Sequence, residues 1–457
     1  MSTHSLASQS VLIVGLARSG LAAARLARRL GARVLLSDSR GPEAFAGRLD
    51  EFEALADRVE LGGHRDETLA QSDLIVVSPG VPLSIAPLRR ALERGQRVIG
   101  EVELALGCID LPLIAITGTN GKTTSAALCA HLLRAAGRRV FLGGNIGNPL
   151  SNLALELLER RGEAPRLAVV ELSSFQLESA PSLHARVAVW LNLGDDHLDR
   201  YARPEDYAAA KARLFANQTS EDWIVIPADD ARIAAHAAKS PARIATFGPG
   251  GDLRMEHDRL RCNLPGRDQC EIDITSWRLL GAHNRLNLEA AVGCALLAGA
   301  DSEALAAGVA DFAPLPHRLE PVGEIRGVRF YNDSKATTPD SLIAAVRSFE
   351  EPLVLIAGGR GKGADFSVLR EAVAERARAV LLIGEAADEL QHVLQGVTRL
   401  ERCDTLEQAV RLGLELAAPD ASVLLSPACA SFDMFDDYEH RGRSFTAAVR
   451  TLAGGEA

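Results

Sequence analysis

Ile116-Thr117-Gly118-Thr119-Asn120-Gly121-Lys122-Thr123-Thr124 is the stretch that decides how this chain folds. An apolar run, Leu113–Thr117, leads into it, and an Ala/Leu-rich helical stretch follows. The two glycines let backbone N–H groups turn inward around phosphate oxygens, and the helix N-terminus adds partial positive charge. Lys122 can reach the β- and γ-phosphates, and the Thr123 hydroxyl can ligate Mg²⁺. Gly118, Thr119, Asn120, Gly121, Lys122, Thr123 and Thr124 are therefore the expected ATP loop. The plainer alternative is an ordinary strand–helix turn, but Gly-Lys-Thr-Thr falls at the junction that phosphate binding requires. The usual spacing is GxxxxGK[ST]. Here the loop reads GxxGKT, two residues shorter, which points away from GTPases and helicases and toward a narrower group of ATP users.

Working outward, short Val/Ile/Leu runs alternate with helical stretches along the chain. The expected strands are 11–14, 33–37, 74–78, 113–117, 167–171, 187–192, 223–227, 353–357, 379–383 and 422–426. Continuous apolar runs indicate strands buried on both faces, and intervening helices indicate parallel α/β sheets. At roughly 150 residues per domain, 457 residues make about three domains. The expected boundaries give an N-terminal Rossmann-like domain at 1–100, a central P-loop domain with a mostly parallel sheet at 101–314, and a Rossmann-like C-terminal domain at 315–457. Pro314-Leu315-Pro316 ends a long helical region read over 286–312. The polar segment 247–276 reads as small antiparallel strands.

Composition narrows the function. Apolar residues make up 47% and charged residues 24%, a globular balance. A net charge of −10 disfavours broad nucleic-acid binding, and 4% aromatics leaves little for base stacking. Compact anionic small molecules in a local basic pocket remain open. The seven cysteines are odd in number and form no CxxC, which fits a reducing compartment. No apolar run approaches 18 residues and no basic leader opens the chain, so the expectation is a cytoplasmic protein without a membrane segment.

Gly15-Leu16-Ala17-Arg18-Ser19-Gly20 follows a strand and opens a helix, and Asp38 ends the next strand, 18 residues after Gly20. This resembles a dinucleotide fingerprint, but its middle glycine is Ala17. An NAD-dependent enzyme is one alternative; no acid–base dehydrogenase constellation accompanies it. A nucleotide-sugar-binding regulator with a dead ATP site is another. Glu171, at a strand end facing the ligand crevice, can hold Mg²⁺ or cap the following turn. On their own, His197 reads as a loop histidine among acids and Lys211 as a surface lysine of a helix spanning 205–215. Asn284 and Asn287 share a helix face, and Asn284 also reads as a helix N-cap.

Taken together, Gly118–Thr124, Asn145, Glu171-Leu-Ser-Ser-Phe-Gln176, Asp196-His197-Leu-Asp199, Lys211, His283-Asn284, His317-Arg318, Asn332-Asp333-Ser334-Lys335 and Leu425-Ser-Pro-Ala-Cys-Ala-Ser431 resemble the Mur ligases. These are ATP-dependent enzymes that add amino acids to the peptidoglycan precursor. The similarity spans nearly the whole chain and is closest to the glutamate-adding members. It implies that D-glutamate is joined to UDP-N-acetylmuramoyl-L-alanine through an acyl phosphate, by a monomer. It implies Mg²⁺ at Thr123, Glu171 and His197, and a CO₂-derived carbamate on Lys211, with Lys122, His197 and Lys211 as catalytic residues. Asn284, Asn287, Arg318 and Asp333 become nucleotide contacts, completed by domain closure. Arg18, Ser19, Asp38, Ser39, Arg40, Gly80 and Asn145 become contacts of the UDP precursor. Thr337, Lys362, Ser431 and Phe432 become the glutamate site. Tyr438 stands where the family usually has phenylalanine, and Arg360 replaces a more usual acid.

Overall fold

The computed structural model describes residues 5–145, 147–159, 163–194, 200–201, 203–361 and 363–454. The chain divides into two compact units, one of residues 1–276 and 286–311, the other of 277–285 and 312–457.

The first unit carries two sheets. The N-terminal sheet comprises β1 (Ser10–Val14), β2 (Arg33–Asp38), β3 (Arg58–Leu61), β4 (Leu74–Val77) and β5 (Val98–Gly100), in the order β3-β2-β1-β4-β5. Every pairing is parallel. The order reverses between β1 and β4, and a doubly wound sheet opens its ligand crevice at such a point, beyond the strands' carboxyl ends. Gly15 and Ser78 lie there. Gly20 belongs at this turn for a steric reason: a Cβ on it would sit 1.9 Å from the Gly15 carbonyl oxygen.

The central sheet comprises β6 (Leu113–Thr117), β7 (Val140–Gly144), β8 (Leu167–Glu171), β9 (Val187–Trp190), β10 (Trp223–Pro227), β11 (Arg243–Phe247), β12 (Leu253–Glu256), β13 (Arg259–Cys262) and β14 (Cys270–Asp273). Their order is β14-β13-β12-β11-β10-β9-β6-β8-β7. The last two pairings of the polar segment, β12 with β13 and β13 with β14, are antiparallel, as its composition indicated. Strand β6 sits between β8 and β9, so the phosphate loop leaves the middle of the sheet. Buried Glu101 ties the two sheets' regions together: its Oε1 accepts the Ser151 N–H at 2.6 Å, and burial pushes its carboxyl pKa up. The helical region expected over 286–312 is made of two helices, Ala282–Leu297 and Ser302–Asp311, parted around Gly299.

The second unit carries β15 (Glu320–Ile325), β16 (Val328–Asn332), β17 (Leu353–Gly358), β18 (Ala377–Ile383), β19 (Arg399–Arg402) and β20 (Ser422–Leu425), in the order β15-β16-β20-β17-β18-β19. β15 pairs antiparallel with β16 as a hairpin, and the other strand pairings of this sheet are parallel. The carboxyl ends of β16, β20 and β17 come together, and the loops that follow them bear the residues expected to bind the amino acid.

Candidate active site

The phosphate loop is held from outside as well as by its own glycines. Asn192, just past β9, accepts the N–H groups of Thr119 and Asn120 on Oδ1 at 3.0 and 2.9 Å, and donates Nδ2 to the Asn120 carbonyl at 3.1 Å. Gly121 adopts φ +80°, and a Cβ there would meet Asn287 Oδ1 at 2.3 Å. Asn287 Oδ1 also accepts Ser125 Oγ at 3.0 Å. Lys122 opens the helix Lys122–Ala135 and folds over its loop, donating Nζ to the carbonyls of Gly118 and Thr119 at 2.9 and 2.7 Å.

Beneath the loop lie two buried ionisable side chains. Lys211 is 1% exposed; its Nζ donates to the Gly118 carbonyl at 2.8 Å and stands 4.5 Å over the Tyr207 ring. The isolated reading of Lys211 as a surface lysine is therefore wrong, because the helix Pro204–Ala212 turns that residue inward. Glu171 ends β8 directly beside Ile116 and is 2% exposed. One oxygen accepts Asn145 Nδ2 at 2.8 Å; the other, Oε2, is buried with no hydrogen-bond partner among the described residues. A buried carboxylate oxygen so left is costly unless something cationic engages it. A carboxylate oxygen is a hard donor of the kind Mg²⁺ prefers, as is a threonine hydroxyl such as that of Thr123. Among the described residues no three His, Cys, Asp or Glu side chains gather as a metal cluster. His197, the other expected ligand, lies outside the described residues.

A cavity of about 420 Å³ opens at the N-terminal sheet's switch point. All seven residues expected at the UDP precursor line it: Arg18 and Ser19 after β1, Asp38, Ser39 and Arg40 after β2, Gly80 after β4, and Asn145 from the central sheet. Arg18 Nη1 donates to the Gly147 carbonyl at 2.9 Å. Asp38 receives four N–H groups, from Leu16 N, Arg40 N, Arg40 Nε and Arg40 Nη2, at 2.7 to 3.0 Å. Burial raises its pKa, but these donors outweigh it and bring the carboxyl to about 2. Asp38 therefore shapes the wall with its lone pairs already taken. The dinucleotide reading loses its acid in the same way.

In the second unit, Asp333 follows β16 and accepts Ser426 Oγ at 3.0 Å and Leu319 N–H at 3.3 Å. Burial raises its carboxyl to about 7, against the lowering effect of Ser426, the Leu319 N–H and Arg318. Asn284 is inside the helix Ala282–Leu297 and donates Nδ2 to the Leu280 carbonyl at 2.8 Å, so it is not the accepting N-cap its position had offered. Asn284 and Asn287 thus share a helix yet belong to different units.

The loops bearing Thr337 and Ser431 are pinned by a residue the sequence reading missed. Arg441 is 1% exposed; Nε donates to Ser334 Oγ at 3.0 Å, and Nη2 to the carbonyls of Ser334 and Cys429 at 2.9 and 3.1 Å. Ala428 N–H adds a bond to the Ala336 carbonyl at 2.9 Å. Ser431 is buried, whereas Phe432 is 58% exposed. Arg360 pairs its guanidinium with Glu385 at 2.9 and 3.0 Å, which gives that departure a structural partner. Tyr438 uses its added hydroxyl: Lys335 Nζ donates to it at 3.2 Å. Lys362 lies outside the described residues.

Three family descriptions match the chain in order: a Mur ligase MurD-like N-terminal domain at residues 9–100, a Mur ligase middle domain at 116–295, and a Mur ligase glutamate ligase domain at 317–429. The UDP-N-acetylmuramoylalanine--D-glutamate ligase of Geotalea uraniireducens is 43% identical, over 98% of this chain and 99% of its own length. The enzyme of the same name from Pelobacter propionicus is 44% identical, over 97% and 99%. Among solved structures, UDP-N-acetylmuramate-alanine ligase from Thermotoga maritima aligns over 97% of this chain and all of its own with a TM-score of 0.61. At 19% identity that likeness speaks for the three-domain α/β fold alone. With relatives this similar along its whole length, the chain belongs to the Mur ligase family.

Proposed function

We propose that this protein joins D-glutamate to UDP-N-acetylmuramoyl-L-alanine at the expense of ATP, in peptidoglycan precursor synthesis, as a cytoplasmic monomer. The observation that carries the reading is the short phosphate loop closed by Lys122, with the unpartnered Glu171 Oε2 at the neighbouring strand end. The names of the relatives agree with it. Residues 1–100 then take the UDP end, 101–314 take ATP, and 315–457 take the incoming amino acid.

The chemistry follows from a poor electrophile. A carboxylate would have to expel oxide when attacked by an amine. The L-alanyl carboxylate therefore first attacks the γ-phosphorus, releasing ADP and forming an acyl phosphate. The glutamate amine then attacks the carbonyl carbon, phosphate leaves, and the amine loses a proton. Two anions meet in the first step. Lys122 at the loop and Arg318 offset their repulsion and the charge that develops on the transferred group. Thr123 and Glu171, with His197, would hold Mg²⁺, which supplies charge neutralisation on the phosphates. A carbamate on Lys211 would turn a buried cation into an anion suited to that site. Asn287 and Asp333 serve the nucleoside, and Thr337, Lys362, Ser431 and Phe432 the glutamate.

Phosphate release from ATP tests the proposal. With UDP-N-acetylmuramoyl-L-alanine and Mg²⁺ present, release is expected with D-glutamate and not with L-lysine or without an amino acid. Release with L-glutamate alone would contradict the stereochemistry, and no release with any of them would contradict the activity.

A further inference from the structure

One side chain in the cavity of the N-terminal sheet has no part in the reading above. His64, half-buried, lines the cavity together with Arg18, Asp38 and Arg40. Its Nδ1 lies 2.7 Å from Ser37 Oγ, and the same hydroxyl donates to the Gly63 carbonyl at 3.2 Å. A hydroxyl has a single hydrogen, and a carbonyl can only accept. Both contacts are hydrogen bonds at once only when Nδ1 carries its own hydrogen and donates it to Ser37 Oγ. The ring is then held with Nδ1 protonated and Nε2 as a bare acceptor.

The charged groups of this cavity leave no other acceptor free. Its arginines only donate. Asp38, its carboxylate, offers about four lone-pair positions and already takes four N–H groups. Resting on the reading of the cavity as the UDP site, we propose that His64 is a further nucleotide-recognition residue, whose Nε2 accepts a hydrogen bond from the uridine. The donor is the uracil N3–H or a ribose hydroxyl.

The surroundings of His64 favour the neutral ring. Burial pushes its pKa below the ordinary histidine value, against the pull of Asp38 and Glu60. Those two carboxylates are the acids that bear on it, and each is paired with an arginine: Asp38 with Arg40 at 2.9 Å and Glu60 with Arg58 at 2.6 Å. Protonation of Nε2 would turn the acceptor into a donor and set it against the uridine donor.

The test is the KM for UDP-N-acetylmuramoyl-L-alanine in the full chain. His64→Ala is expected to raise it roughly 3- to 10-fold, the span of one hydrogen bond, with kcat unchanged. In the unsubstituted protein KM should climb as pH falls through the imidazole titration. His64→Gln, whose amide oxygen can accept, should keep a near-normal KM and lose that climb. Inhibition by UDP, 2′-deoxy-UDP and N3-methyl-UDP then locates the donor: the analogue lacking it should weaken against the unsubstituted protein and not against His64→Ala. An unchanged KM in His64→Ala, or a KM that falls on acidification, overturns the inference. Arg18→Ala separates the parent reading. If it raises KM while His64→Ala does not, only the histidine's role fails; if it too has no effect, the cavity is not the UDP site.

Discussion

Lys122→Ala is expected to lower the rate of phosphate release by roughly 10²- to 10³-fold, the usual cost of losing one preorganised charge-stabilising group. The lysine begins the helix at the phosphate loop and holds its ammonium against the Gly118 and Thr119 carbonyls. A phosphoryl oxygen entering the loop meets a cation already positioned over it. Alanine removes that charge where two anions must approach each other, so the loss should fall on kcat as well as on the KM for ATP. The loop itself should keep its shape, because Asn192 holds it through other atoms. A thermal midpoint close to the original would show that. A folded Lys122→Ala protein with near-normal turnover would refute the assignment of this loop to ATP.

Lys211→Ala should cost roughly 10- to 100-fold in activity, as losing a partner of a metal ligand does. Added acetate or formate should restore part of it. The lysine is almost wholly buried, against the Gly118 carbonyl and the Tyr207 ring. As an ammonium it would fasten the base of the loop, and alanine would remove a fastening that no carboxylate could replace. As a carbamate it carries a carboxylate-like group, whose loss leaves room for a small anion. Rescue by carboxylates and not by methylamine distinguishes the two roles. Full activity of the alanine variant without an additive would exclude both.

Much of the fold was legible because its decisive strands are short apolar runs. All ten expected strands are present, among them β1, β6, β8 and β20. The strands missed carry other signals. Arg58-Val-Glu-Leu and Arg399-Leu-Glu-Arg lie at sheet edges, where charged side chains reach solvent and no apolar run forms. β7 ends in two glycines, and a Cβ on Gly144 would meet the Glu171 carbonyl oxygen at 2.3 Å. The helical region read over 286–312 did not show its division in two, because its alanines continue past the turn at Gly299, which only the glycine marks.

The site shows the same division. Glycine spacing and the lysine that follows it announce a phosphate loop locally, and the seven residues expected at the precursor line one cavity. Residues that act by reaching across the fold leave no local sign. Asn192 reads as the polar end of a strand, yet it holds the phosphate loop. Arg441 lies in the helix Tyr438–Gly454, where an arginine ordinarily faces solvent, yet it is buried and joins two loops. His64 follows two glycines after an edge strand and acquires meaning only from Ser37 beneath it.

The central claim is that the alanyl carboxylate is activated by phosphorylation before the amide forms. UDP-N-acetylmuramoyl-L-alanine labelled with ¹⁸O in that carboxylate, turned over with ATP and D-glutamate, tests it most directly by mass spectrometry of the released phosphate. The account predicts one ¹⁸O in each phosphate, carried from carboxyl to phosphorus when the acyl phosphate forms and retained when the amine displaces it. Phosphate free of ¹⁸O, released alongside the amide product, would contradict it.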